Sequence, residues 1–164
     1  MIFIIMGVCG SGKSTLGQML AKELGTDFLE GDDFHSTANQ KKMANGESLS
    51  EGDRIPWLED IRIAADQYLS RGDRVVVSCS ALTKSGRQIL GVERRKVQLI
   101  YLHASESILT ERMRIRENHF MPASLLRSQL DTLEEPEPGE ALSISVDQCP
   151  DHILDQILSR LGPE

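Results

Sequence analysis

The residues Gly7-Val8-Cys9-Gly10-Ser11-Gly12-Lys13-Ser14 match the pattern G-x-x-x-x-G-K-[ST] at every fixed position. Each residue type has a physical task in holding a phosphate chain. Glycines let backbone N–H groups turn inward around phosphate oxygens. A helix that begins at the lysine adds the positive end of its dipole. Lys13 is expected to reach the β- and γ-phosphates, and the Ser14 hydroxyl to ligand Mg²⁺. The nucleotide-binding positions are therefore Gly7, Val8, Cys9, Gly10, Ser11, Gly12, Lys13, Ser14 and Thr15. A chance glycine turn is the competing explanation. A full match, placed between an apolar run and an amphipathic segment, makes it a poor one.

Such a loop establishes binding of a nucleoside triphosphate but not where the terminal phosphate goes. A GTPase switch carries a DxxG motif, and none occurs; the nearest approach to a guanine motif, Thr83-Lys84-Ser85-Gly86, lacks the aspartate. A motor or transport ATPase usually ends a central strand with a magnesium-binding acid, and "VVVSCSAL" has none. The acids stand instead in "EGDDFH", where a small-molecule kinase meets its acceptor. Phosphoryl transfer needs positioning, charge neutralisation and a carboxylate near the attacking hydroxyl. Asp32 is the candidate carboxylate, against the alternative that Asp32 and Asp33 only cap the next helix. His35 follows, as a partner for a polyol or for backbone. Arg54, close to the sole tryptophan, suits bidentate pairing with a carboxylate; the alternative is a surface ion pair with Glu51 or Asp53. Lys42 reads as solvated helix surface. Arg112 and Arg116 stand four apart on one helix face. That local positive charge fits a lid that closes on phosphates, neutralises transferred charge and excludes water. The catalytic candidates are thus Lys13, Asp32, Arg112 and Arg116.

These residues need a frame. The chain has 164 residues, enough for one domain with a real core. Its net charge of -7 argues against a positive field for nucleic acid or membrane surfaces. Cys9, Cys79 and Cys149 are scattered and lack metal-ligand spacing, as expected for reduced thiols in a cytoplasmic protein. No segment is long and apolar enough to span a bilayer, and the opening run does not read as a cleaved leader.

Ile2 to Met6 reads as a strand buried on both faces. Leu16, Met19, Leu20 and Leu24 follow at helical spacing, and Gly25 stops that helix. "TDFLEGDD" reads as a second strand and residues 36–45 as a helix. "GESLSEGDRIP" reads as a loop, with Pro56 in the first turn of a helix running to Arg71. "RVVVSCS" is a third strand, central by its valines, and "VQLIYLHA" a fourth. Ser105 caps a helix carrying Arg112 and Arg116. "EEPEPGE" is a break, "ALSISV" a fifth strand, and Ile153, Leu154, Ile157, Leu158 and Leu161 mark a last helix. The alternation predicts an α/β fold of three layers, α/β/α, on a five-stranded parallel sheet. One domain is expected over residues 1–164, with a helical lid at about 112–132. Ligands are expected at the carboxyl ends of the strands.

The sequence resembles the small P-loop gluconate kinases of the shikimate-kinase-like group. "GDDFH", "NQKKMANGESLSEGDRIPWL", "CSAL", "RENHF" and "SQLDTLEEP" carry the likeness in order, from Met6 to about Pro136. The resemblance implies a nucleoside-monophosphate-kinase-like fold, usually dimeric. It implies transfer of the ATP γ-phosphate to the 6-hydroxyl of D-gluconate with Mg²⁺. It also implies a lid around Arg112 to His119 and a sugar-acid pocket near Asp32, His35 and Arg54. Thr83 and Gly86 depart from the family's Lys and aromatic residue, and acceptor identity is expected to turn on them. Lys84 and Arg87 remain as cations for an anionic substrate. The rival readings are a kinase of another small hydroxy acid, such as shikimate, and a nucleotide-binding sensor without catalysis.

Overall fold

The computed structural model describes residues 1–115 and 124–161. Arg116 and His119, and with them the middle of the expected lid, lie outside the described residues. Among the described residues, the strands β1 (Ile2–Met6), β2 (Asp27–Glu30), β3 (Val75–Ser78), β4 (Val97–His103) and β5 (Leu142–Ser145) form one sheet. Its order is β2-β3-β1-β4-β5, and every pairing is parallel. Seven α-helices accompany it among the described residues: α1 (Lys13–Glu23), α2 (Thr37–Ala44), α3 (Glu51–Ser70), α4 (Lys84–Leu90), α5 (Glu106–Ile115), α6 (Ser124–Thr132) and α7 (Pro150–Leu161).

Alternate residues of β1 feed opposite layers, as the period of two in a strand requires. Ile2, Ile4 and Met6 pack with Leu58, Ile61 and Leu90 of α3 and α4. Phe3 and Ile5 pack with Leu16 and Leu20 of α1 and Ile153 and Ile157 of α7. The three layers are therefore α/β/α. Each fully buried Leu or Ile on these faces contributes about 1.5–3 kcal/mol relative to exposure. A third cluster sits over the carboxyl edge of the sheet. There Val8 and Cys9 of the glycine loop meet Met43 of α2, Leu109 and Met113 of α5, and Leu125 and Leu126 of α6. This cluster fixes the phosphate loop against the helices that frame the cleft.

Three elements differ from the sequence reading. The helix expected to start near Pro56 starts at Glu51. Ser50 and Asp53 form a reciprocal capping box, each side chain bonding the other's backbone N–H, and this starts the helix one turn earlier. Lys84–Leu90, given no element between the third and fourth expected strands, form α4, with the Thr83 hydroxyl accepting the Gly86 N–H at 3.1 Å. The strand β3 is interior, but β1 holds the centre. Val75, Val76 and Val77 are fully buried, as are Ile5 and Met6, so burial alone did not distinguish the two.

Candidate active site

The sheet order reverses beside β1, and the glycine loop leaves β1 there. Gly7 admits no side chain: a Cβ would lie 2.6 Å from the Leu102 carbonyl and 2.6 Å from the Ser11 hydroxyl. Gly12, at φ 91°, takes the left-handed conformation that opens α1 at Lys13. The Lys13 ammonium donates to the Val8 carbonyl at 3.0 Å. Lys13 is half-buried at the cleft. Desolvation lowers its pKa, opposed first by the nearby Asp32 carboxylate. Ser11 is buried, and its hydroxyl has no partner among the described residues.

One cleft brings Lys13, Ser14, Asp32, His35 and Arg54 together, along with Cys9, Gly10 and Gly12 of the loop. Asp32 lies in a short 3-10 turn, Gly31–Phe34, immediately after β2. The Asp32 turn is separate from the cap of α2, which is the Ser36 hydroxyl accepting from the Asn39 N–H. The capping alternative for Asp32 and Asp33 therefore does not hold. Asp32 faces Lys13 across the cleft, and Asp33 is exposed outside it.

His35 is buried and lies against Trp57, with ring centroids 4.1 Å apart and 17° between planes. Burial pushes its pKa down to about 4. The Asp32 carboxylate, 3.9 Å from Nε2, does not offset that desolvation, and the imidazole is neutral at pH 7. Its Nδ1 is buried without a partner among the described residues. A consequence follows for folding. The unfolded histidine takes up a proton near its ordinary pKa of about 6.5, whereas the folded one resists until about 4. Stability therefore falls as pH drops through that window, by on the order of 1–2 kcal/mol between pH 7 and pH 5. Urea unfolding midpoints should drop over that interval, and His35→Gln should flatten the drop; an equal drop in the variant would remove His35 as its source.

Arg54 projects from the first turns of α3 and is half-buried. The ion pair expected as an alternative is absent: Asp53 bonds Lys42 Nζ at 2.9 and 3.0 Å and caps α3 through Ser50. Lys42 is thus an ion-pair partner rather than merely solvated. Among the described residues, no hydrogen bond or ion pair occupies the Arg54 guanidinium, whose pKa desolvation lowers. A partly dehydrated guanidinium in the same cleft as Lys13 has the chemistry to pair with a carboxylate.

Two expected substrate cations lie elsewhere. Arg87 is 2% exposed, and its Nε donates to Glu140 at 2.6 Å and an Nη to the Glu134 carbonyl at 2.8 Å. It also reaches the Ala81 carbonyl, where the backbone turns through φ 46°. Its charge is satisfied in tying the 134–140 segment to the end of β3, which corrects its assignment to the substrate. Lys84 is exposed and pairs with Glu137 at 2.8 Å, also outside the cleft. Thr83 and Gly86 line a neighbouring groove, where Thr83 caps α4 and a Gly86 Cβ would lie 3.1 Å from Leu58. They shape helix packing and do not line the cleft that holds Asp32, although Arg54 borders both.

Arg112 occupies the other side of the glycine loop. Its guanidinium donates to the Val146 carbonyl at 2.6 Å and borders a hollow lined by Gly10, Gly12, Thr15, Gln148 and Pro150. The loop thus separates two hollows, one with Asp32 and one with Arg112. Sequence reasoning missed the cleft's third wall. Ser48 and Leu49 come from the α2–α3 loop, Ser80 follows β3, and Ser128 and Gln129 come from α6. Gln129 accepts the Cys9 N–H at 2.7 Å, and Ser48 and Ser128 share a hydrogen bond of 2.5 Å. "SQLDTLEEP" was the available signal for the last pair.

A phosphate loop, a facing carboxylate and a guanidinium, set at the switch point of a five-stranded parallel sheet, define a P-loop kinase. A family model described as an AAA domain matches residues 2–136. A gluconokinase of Arabidopsis thaliana is 41% identical, over 98% of this chain and 92% of its own length. The crystal structure of a gluconokinase from Sinorhizobium meliloti 1021 is 42% identical, with a TM-score of 0.84 over 97% of this chain and 91% of that one. An unliganded sugar kinase from Janibacter sp. HTCC2649 is 38% identical, with a TM-score of 0.91 over 98% of this chain and 93% of that one. The chain belongs to the gluconokinase family.

Proposed function

We propose that this protein transfers the γ-phosphate of ATP to the 6-hydroxyl of D-gluconate. The observation that carries the reading is the convergence of Lys13, Asp32 and Arg54 on one cleft. The polyphosphate lies along the loop N–H groups, and Lys13 leaves the Val8 carbonyl to meet the β- and γ-phosphates. The nucleoside lies on the Arg112 side of the loop and the sugar acid on the Asp32 side. Arg54 takes the acceptor carboxylate. That anchors one end of an extended six-carbon acid and leaves the far hydroxyl for Asp32. Asp32 accepts the hydroxyl proton as the oxygen attacks phosphorus, and the leaving group departs as ADP. His35, neutral and with a partnerless Nδ1, hydrogen-bonds an intermediate hydroxyl.

Mg²⁺ fits the donors present. The Ser14 hydroxyl lines the cleft and offers a hard oxygen. The ion takes few protein ligands and completes its shell with water and phosphate. When bound it neutralises phosphate charge. Arg116 and His119 belong to the lid in this reading, and Arg112 is its hinge-side cation. The protein acts as a cytoplasmic homodimer that binds neither nucleic acid nor membrane; among the described residues, no helix is long and apolar enough to cross one.

The product tests the reading. A phosphorus spectrum of the reaction with D-gluconate should show one phosphate monoester coupled to the C6 protons. A monoester at another carbon would reverse the acceptor's orientation. Arg54→Ala should raise the KM for gluconate by roughly ten- to a hundredfold, the scale of a lost charge-assisted hydrogen bond at 1.5–3 kcal/mol, with the KM for ATP unchanged. An unchanged gluconate KM would remove Arg54 from the acceptor site.

A further inference from the structure

We propose that Trp57 is a positioning residue for the transfer step, acting through Gly31 on the turn that carries Asp32. The inference rests on the catalytic reading of Asp32 given above. Trp57 is the chain's sole tryptophan and is 4% exposed. Its indole N–H donates to the Gly31 carbonyl at 2.7 Å. Gly31 is held from the opposite side as well, its N–H donating to the Ser78 hydroxyl at 3.2 Å. The fit leaves no slack: a Cβ on Gly31 would lie 2.1 Å from the Ser78 carbonyl oxygen. The peptide that leads into Asp32 is therefore clamped between α3 and β3.

A buried indole ordinarily finds some acceptor for its N–H. Here the acceptor is the residue next to the catalytic carboxylate, and the same ring also supports His35 by stacking. Arg54 stands three residues earlier on α3, so it shares a helix face with Trp57. One rigid helix thus carries the acceptor's carboxylate receptor, sets the His35 ring and fixes the Asp32 turn. The distance between the anchored end of the acceptor and the proton acceptor is fixed by Trp57. A small displacement of that kind costs catalysis far more than binding.

The test is a double-mutant cycle on the full chain. Trp57→Phe keeps a ring beneath His35 and removes the N–H. It is compared with wild type, Asp32→Asn and the double variant at saturating ATP and D-gluconate. The expected result is a kcat reduced roughly ten- to a hundredfold by Trp57→Phe, with the KM for ATP within about twofold of wild type. In the Asp32→Asn background the same substitution should cost less than about twofold, because the group it positions is gone. An equal loss in both backgrounds, or no loss in wild type, overturns the positioning role. An Asp32→Asn protein with normal kcat overturns the reading of Asp32 itself, and the inference with it. If Trp57→Phe does not fold, Ser78→Ala, which frees the other side of Gly31, enters the cycle under the same criteria.

Discussion

Lys13→Ala is expected to lower kcat/KM by at least about a hundredfold, the scale of losing one preorganised charge-stabilising donor. The structure gives the reason. Lys13 sits where α1 begins, half-buried, with its ammonium donating to the Val8 carbonyl 3.0 Å away. A phosphate chain in the loop offers a far stronger partner than a neutral carbonyl. Desolvation, which lowers the lysine pKa here, also strengthens its attraction for a phosphate that shares the dry site. Alanine leaves the loop's N–H groups intact, so nucleotide binding should weaken less than turnover. Initial rates of ADP formation, beside nucleotide binding by calorimetry, check the two separately. Near-normal turnover would remove Lys13 from the transfer step.

Asp32→Asn should reduce kcat by roughly a hundred- to ten-thousandfold, the range for a positioned proton acceptor. Asparagine keeps the size and polarity of the side chain but cannot take the hydroxyl proton. The KM for ATP should hold, because the loop contacts lie on other elements. If only the KM for the acid rose, Asp32 would bind the acceptor without accepting its proton. This readout differs from that of Arg54→Ala, which acts on KM. The two ends of the acceptor can therefore be separated kinetically.

Much of this was legible in the sequence, for identifiable reasons. The glycine loop declares itself because few sequences satisfy its steric demands: Gly7 admits no Cβ, and Gly12 needs a left-handed backbone. The sheet was legible because apolar runs such as Val75–Val77 are buried on both faces. Asp32 was placed by the rule that ligands gather at strand ends. What failed was local. The start of α3 at Glu51 depends on a capping box that Ser50 and Asp53 build, and the reading gave Pro56 more weight. Arg87 looks like a substrate cation until Glu140, distant in sequence, is seen to neutralise it in the core. Thr83 and Gly86, expected to tune acceptor identity, cap and pack α4 in a groove beside the cleft that Arg54 also lines. Ser48 and Ser128 join the cleft wall, and Gln129 reaches the glycine loop, only through tertiary folding; "SQLDTLEEP" marked the last two without showing what they touch. Charge and proximity in sequence suggest partners; only the fold shows which charges are already satisfied.

The central claim is that the phosphate held by the loop goes to a sugar acid. It is tested most directly by ADP release from Mg-ATP against D-gluconate, other aldonates, shikimate, nucleoside monophosphates and no acceptor. The account predicts strong stimulation by D-gluconate, little by nucleotides or shikimate, and almost none without an acceptor. ADP release of equal rate in the absence of any acceptor, or stimulated only by a nucleotide, would contradict it.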